Sequence, residues 1–412
     1  MKRLLLIVLL SGCTCQAPPK PKPDPVVVAS ASASVAAVDA APAPITACAV
    51  NVAKKRTIAA QVDQYSLAAV GSEARLAVHT TKPLFQWNLA DVTDTLKLRD
   101  LPTPLASVAA GASAFYTFEQ VGTAVRYGTA TITGVPYIND DFAFATHGDD
   151  WLGLGVGPEV DCGARVCVTS TGDRLAGTIV EEGRIAYVLV ALSAKGTTKL
   201  HDKRCPSEKP PKKYDQGIAF DYDYCKDAEE HSAHGPAVAL DRDGALIAYR
   251  LDSDHWIQRL TTAGAAKGGR HKLASNVVGR ASIASNTHQP GGAGFLTVYA
   301  HNVGEHTEIS SSVVTADDPA PAKLIARGTT PSLASSAAGN ALAFISDNGA
   351  LAFAFAKTDD FANATTITGA GKTAREPRVT LDARSGFLAW LESSGVDAGA
   401  SAELVLAPIE CH

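Results

Sequence analysis

The sequence predicts an all-β fold built from about seven repeats of a short-strand unit, and three observations carry that prediction. The first is recurrence. Pro236-Ala237-Val238-Ala239-Leu240-Asp241 runs through Asp243-Gly244 into Leu246-Ile247-Ala248-Tyr249. Pro377-Arg378-Val379-Thr380-Leu381-Asp382 runs through Ser385-Gly386 into Phe387-Leu388-Ala389-Trp390, nearly position for position. The second is composition: 34 Gly, 22 Pro and a 46% apolar share drawn mostly from Ala, Val and Leu suit many strands joined by turns. The third is the form of the apolar runs. Leu246 to Leu251 and Phe387 to Leu391 are short, almost unbroken and bounded by Gly, Asp and Ser, as in strands buried on both faces. A helical repeat would instead place apolar residues every three or four positions.

In chain order, Lys2 and Arg3 precede an apolar run from Leu4 to Leu10, followed by Ser11-Gly12-Cys13. A charged start, a short hydrophobic region and small residues before a cut make a secretory signal, and the run is too short to span a bilayer. Leu10-Ser11-Gly12-Cys13 resembles the lipobox of a bacterial lipoprotein signal peptide. The resemblance implies removal of residues 1–12, lipidation of the Cys13 thiol and stable anchoring through more than one acyl chain. Thr14 is not the aspartate associated with inner-membrane retention, so the outer membrane is the expected address. From residue 13 to 47 the chain is rich in Pro, Ala, Ser and Val and lacks aromatic residues, with Pro18, Pro19, Pro21, Pro23 and Pro25 at its front. Such a segment buries too little to offset chain entropy and is expected to act as an extended tether.

Residues 48–412 form the expected folded part. Further copies of the unit are Pro331-Ser332-Leu333-Ala334 leading to Ala341-Leu342-Ala343-Phe344, and Ser282-Ile283-Ala284 leading to Phe295-Leu296-Thr297-Val298-Tyr299. With weaker copies upstream, apolar anchors fall at 67, 108, 160, 238, 283, 333 and 379, spaced by 41, 52, 78, 45, 50 and 46 residues. The long interval holds an insertion at about 193–235. Periods of about 40 to 50 residues made of short strands resemble those of β-propeller proteins. That resemblance implies about seven blades in a ring closed near the termini; a β-sandwich or a two-domain β protein is the alternative. The blade signatures of the WD40 and kelch families are absent.

Besides Cys13 there are seven cysteines, and export makes disulfides chemically reasonable. Connectivity is open from sequence, because six cysteines allow 15 pairings. Nearest pairs make structural sense together: Cys162 with Cys167 across a turn between the first two strands of a repeat, Cys205 with Cys225 across the insertion, and Cys48 with Cys411 at the ends of the folded region. Bringing the chain ends into one blade is what ring closure requires. Cys15 is left over as a thiol in the tether.

Lys and Arg number 37 against 42 Asp and Glu, and no basic stripe interleaved with aromatics occurs, so no nucleic-acid partner is expected. The insertion carries the candidate binding residues Tyr214, Asp221, Tyr222, Asp223 and Tyr224, since Tyr and Asp on a long loop suit a partly polar interface. Asp241-Arg242-Asp243-Gly244 lacks the remaining ligands of a calcium loop and reads as a turn. His301 and His306 have the wrong spacing for a zinc-protease motif and are expected on opposite sides of one strand. Gly153 to Pro158 is no dinucleotide fingerprint, and no Gly-x-Ser-x-Gly elbow occurs. No catalytic residue, metal or cofactor is therefore expected. The expected role is a membrane-anchored, extracytoplasmic binding or scaffold module of the cell envelope, whose partner is an envelope protein or a glycan. The rival reading is a glycan-active enzyme or a small-ligand-binding propeller.

Overall fold

The computed structural model describes residues 45–412 except 83–84, 104, 112, 122–123, 128–129, 134–141, 149, 163–168, 172–173, 177–182, 205–232, 252, 287–293, 316–317, 369–371 and 395–401. Among the described residues the regular elements are strands, apart from one 3-10 turn at Val52–Lys54, and no helix is long and apolar enough to cross a membrane. The all-β expectation holds.

The chain opens with β1 (Cys48–Val50), β2 (Arg56–Val70), β3 (Glu73–Thr80), β4 (Gln86–Val92) and β5 (Leu96–Leu101). A four-stranded sheet follows from β6 (Leu105–Ala110), β7 (Phe115–Val121), β8 (Ala124–Tyr127) and β9 (Ala130–Thr133). After β10 (Phe142–His147) and β11 (Asp150–Cys162) a small hairpin, β12 (Thr169–Thr171) and β13 (Arg174–Ala176), precedes β14 (Gly183–Ser193) and β15 (Gly196–Arg204). Strands β10, β11, β14 and β15 pair as a second four-stranded sheet. A third is built from β16 (Ala233–Asp241), β17 (Gly244–Leu251), β18 (Asp254–Leu260) and β19 (Ala266–Ala274). Then β20 (Val277–Ser285), β21 (Phe295–Val303), β22 (His306–Val314), β23 (Lys323–Ser336), β24 (Gly339–Ser346), β25 (Leu351–Ala356) and β26 (Thr365–Thr366) form a seven-stranded sheet. Finally β27 (Lys372–Leu381), β28 (Ser385–Ser394) and β29 (Ala402–Cys411) join β1 to β5 in an eight-stranded sheet. Each sheet is open; none closes on itself as a barrel.

Two long strands serve two neighbours each. β2 pairs with β29 from Arg56 to Val62 and with β3 from Val62 to Val70. β23 pairs with β22 up to Arg327 and with β24 from Gly328 onward. The second switch needs glycine: Gly328 sits at φ +152°, and a Cβ there would lie 2.2 Å from the Ile345 carbonyl oxygen. Divided at these switches, the large sheets resolve into antiparallel four-strand sets like the others.

The anchors Leu67, Val108, Val238, Ile283, Leu333 and Val379 all lie on the first strand of a set, opposite Leu76, Thr117, Ile247, Thr297, Leu342 and Leu388. The anchor at Val160 is a correction. It lies on β11, a second strand, opposite Ile185, and the first strand of that set is β10. β10 reads Phe-Ala-Phe-Ala-Thr-His and lacks the Val/Leu/Ile-Ala phrase, while β11 runs to 13 residues and offers Val160 as a decoy. The insertion also begins later than 193, because Gly196–Arg204 pairs with β14 as an ordinary strand.

Apolar side chains collect between successive sheets. Leu152, Leu154 and Ala191 pack with Leu240, Ala245 and Ile247, and Ala341 and Phe353 pack with Leu388 and Trp390. Central strands are therefore covered on both faces, as Ala245 to Tyr249 illustrate. The first strands border one another in order: β2 beside β6, then β10, β16, β20, β23 and β27, and β27 in turn borders β2.

Serines stitch these first strands together. Ser66 Oγ accepts the Val108 N–H at 3.0 Å, Ser282 Oγ accepts the Leu333 N–H at 2.9 Å, and Ser332 Oγ accepts the Val379 N–H at 3.0 Å. In every case the serine immediately precedes one anchor and the donor is the anchor of the next set. Strands that share no ladder thus satisfy each other's buried backbone. Ser332→Ala leaves the buried Val379 N–H without its acceptor and is expected to cost about 1 to 3 kcal/mol. Urea denaturation checks this, and an unchanged midpoint would show that the bond contributes nothing.

Candidate functional site

Where the first strands meet they enclose a cavity of about 470 Å³. Its wall takes Asp63, Gln64, Tyr65 and Ser66 from β2, Leu105 to Val108 from β6, Phe142 to Phe144 from β10, and Pro236 to Val238 from β16. Arg280 to Ile283 come from β20, Ser332 from β23, and Arg375, Glu376 and Arg378 from β27, with Trp87 behind β2.

Bulges shape this wall. Register shifts interrupt β16 between His234 and Ala237, β20 between Val278 and Ser282, β23 between Thr329 and Ser332, and β27 between Arg375 and Arg378. Each shift holds a residue at positive φ: Gly235 (+55°), Gly279 (+69°), Thr330 (+48°) and Glu376 (+51°). An extra residue bends a strand and re-aims its side chains. Thr330 and Glu376 adopt this geometry at a cost of about 1 to 3 kcal/mol each, the kind of strain that clusters at sites of function. At Gly235 an added Cβ would lie 3.0 Å from Arg280 Cγ, so the missing side chain leaves room for that arginine.

Charges of both signs line the wall. Arg378 Nη2 lies 3.5 Å from Glu376 Oε2, and His79 Nδ1 lies 2.7 Å from Asp63 Oδ1. Arg375 is exposed and has no carboxylate partner among the described residues. Tyr65 is buried, and its hydroxyl donates to the carbonyls of Glu376 and Ala389, the latter at 2.9 Å. Burial raises the Tyr65 pKa, against a lowering by Arg378 and with a further raising by Glu376. The phenol stays protonated and ties β2 to β27 and β28; it is not a nucleophile in this position. The Trp87 ring lies 5.2 Å from that of His79, placing an aromatic face beside the charged groups.

No protein-family model and no curated protein matches the sequence. Solved structures resemble the fold at a distance. The Cps50 (Swd1) β-propeller domain of Myceliophteria thermophila matches with a TM-score of 0.45 at 12% identity, over 86% of this chain and 98% of that one. The Dos1 propeller matches with a TM-score of 0.43 at 8% identity, over 86% and 96%. Trypanosoma rangeli sialidase matches with a TM-score of 0.41 at 6% identity, over 84% of this chain and 53% of that one.

The expected site residues fare unequally. Cys48 and Cys411 sit directly opposite each other in β1 and β29 and form a disulfide. Cys13, Cys167, Cys205, Cys225, Tyr214, Asp221, Tyr222, Asp223 and Tyr224 lie outside the described residues. Cys162 ends β11 opposite Gly183, at a junction of second and third strands; the turn between the first two strands of that set is at His147 to Asp150. Asp241 Oδ1 accepts the Asp243 N–H at 2.8 Å, the expected turn. His301 and His306 belong to two strands joined at Gly304-Glu305, not to opposite sides of one strand. Among the described residues no cluster of three or more His, Cys, Asp or Glu gathers to hold a metal.

The sequence reading passed over Asp63, Arg280, Arg375, Glu376 and Arg378. A positional signal existed: Arg280 stands three residues before the anchor Ile283, and Arg375, Glu376 and Arg378 stand four, three and one before Val379.

Proposed function

We propose that this protein is a lipid-anchored, extracytoplasmic β-propeller of seven four-stranded blades, closed into a ring, whose central cavity binds a glycan of the cell envelope without transforming it. The cavity at the meeting point of the first strands carries this reading. The ring is supported by the order in which first strands border one another, by the pairing of β2 with β29, and by the Cys48–Cys411 link. It favours a propeller over a sandwich, in which first strands would not succeed one another around a shared space. Trp87 and Phe142 supply apolar ring faces while Gln64, Ser107 and the charged groups supply hydrogen-bonding partners, a combination suited to sugars. A non-catalytic role is favoured because Asp63 is hydrogen-bonded to His79, Glu376 is paired with Arg378 and the Tyr65 hydroxyl is spent on the backbone.

Two experiments test the two halves. Cys13→Ser is expected to move the folded protein from the membrane fraction to the soluble extracytoplasmic fraction with its circular dichroism unchanged; retention in the membrane would overturn the anchor. The same soluble variant is expected to bind a subset of an envelope-glycan array. Gln64→Trp and Ala143→Trp, which fill the cavity from two strands, are expected to abolish that binding. Binding unaffected by either tryptophan would remove the cavity from the function.

A further inference from the structure

Resting on this cavity as a binding site, we infer that its ligand is a saccharide carrying a carboxylate, held by Arg375 together with Arg280 and Arg378. The chain as a whole has a net charge of −5, yet the cavity wall gathers three arginines against two carboxylates, Asp63 and Glu376. Both carboxylates are already answered, Glu376 by Arg378 at 3.5 Å and Asp63 by His79 at 2.7 Å. The cation left over is therefore Arg375 on β27, and Arg280 reaches the same space from β20. Arg375 is exposed and lacks a carboxylate partner among the described residues, so it meets an incoming anion without first breaking an ion pair.

The construction around these arginines is specific. The bulge at Glu376 separates Arg375 from Arg378 in the β27 ladder, and both still line the cavity. Gly235 clears the approach of Arg280. A guanidinium is a planar fork that matches the two oxygens of a carboxylate, and it keeps its charge at every physiological pH. Trp87 and Phe142 add apolar faces for a sugar ring. Wall, fork and size together fit a uronate-bearing mono- or disaccharide.

The test is isothermal titration of the soluble Cys13→Ser protein with digalacturonate and with galactobiose, its neutral counterpart. Digalacturonate is expected to bind about ten-fold or more tightly than galactobiose. Arg375→Ala is expected to remove that preference, bringing digalacturonate down to the affinity that the same variant shows for galactobiose, and Arg375→Lys to keep part of it, because charge survives and the fork is lost. Arg375 is exposed, so an unchanged thermal midpoint verifies that the variants are folded. Equal affinity for the two sugars, no binding of either, or a preference that survives Arg375→Ala overturns the carboxylate inference. The cavity reading fails separately: array binding to neutral glycans that Gln64→Trp blocks would sink the carboxylate and keep the site, whereas binding indifferent to Gln64→Trp would sink both.

Discussion

Replacing Cys48 and Cys411 together by serine is expected to lower stability by about 3 to 5 kcal/mol. The bridge joins residues 363 apart, so in the unfolded chain it closes nearly the whole folded region into one loop. The entropy removed from an unfolded chain grows with the logarithm of loop length, which places this bridge at the upper end of the usual range. A local effect adds to it. β1 has only three residues, Cys48, Ala49 and Val50, in the ladder with β29, and a few flanking bonds extend it: the Ala47 carbonyl accepts the His412 N–H at 2.8 Å and the Asn51 N–H donates to the Pro408 carbonyl at 2.9 Å. Without the sulfur link so short a strand frays. Urea unfolding of the wild type with and without reductant, beside the double variant, measures the effect. Coincidence of all three curves would mean that the bridge contributes no stability.

The second large effect is acid sensitivity at His255. This side chain is fully buried between β18 and β20; its Nε2–H donates to the Gly279 carbonyl at 3.2 Å, and Nδ1 has no partner among the described residues. Burial pushes its pKa down to about 4, the bond to Gly279 works against that shift, and nearby Arg250 reinforces it. The sign follows from linkage. Above pH 6.5 the imidazole is neutral in both states and makes no pH-dependent contribution. Below pH 6.5 the unfolded chain takes up a proton that the folded one refuses, so stability falls until the folded group titrates near pH 4. The difference amounts to about 3 kcal/mol over that interval. Glu392, Asp254 and Glu410, held below the usual carboxylate range, lose their contributions only at lower pH. Between about pH 6.5 and 5 the contribution of His255 therefore falls before those three carboxylates titrate. Urea midpoints at several pH values should slope for the wild type and stay nearly flat for His255→Gln; parallel profiles would show that another group is responsible.

The serine stitches and the cavity mark where sequence reading succeeds and where it stops. Anchors such as Val238, Leu333 and Val379 were legible because strands buried on both faces must be almost continuously apolar, and a turn such as Asp241 to Gly244 must follow at a fixed distance. Cys48 and Cys411 were legible because chain ends that share a sheet bring them together. The set beginning at β10 was not, since its first strand is built on Phe142 and Phe144, which pack against Phe118 and Trp151, in place of the Val/Leu/Ile-Ala phrase. The arginines of the cavity were invisible for another reason. Arg280 and Arg375 are 95 positions apart in the chain, and only the succession of first strands brings them to one wall. The serines were in plain view as Ser66-Leu67-Ala68, Ser282-Ile283-Ala284 and Ser332-Leu333-Ala334, but their role is set by the neighbouring sheet, which no local pattern displays.

The adjacency of β1 and β29 has a mechanical consequence. A pull exerted through the segment before Ile45 reaches Cys48 within three residues, and there the load divides. Part of it crosses the sulfur bridge into β29, which is flanked on one side by β28 and on the other by β2. The force is thus spread over several ladders loaded together instead of unzipping β2 one bond at a time. A domain held by its leading end under flow or drag resists being drawn out for as long as that covalent bond is intact, and reduction alone would convert the same attachment point into the place where unravelling starts.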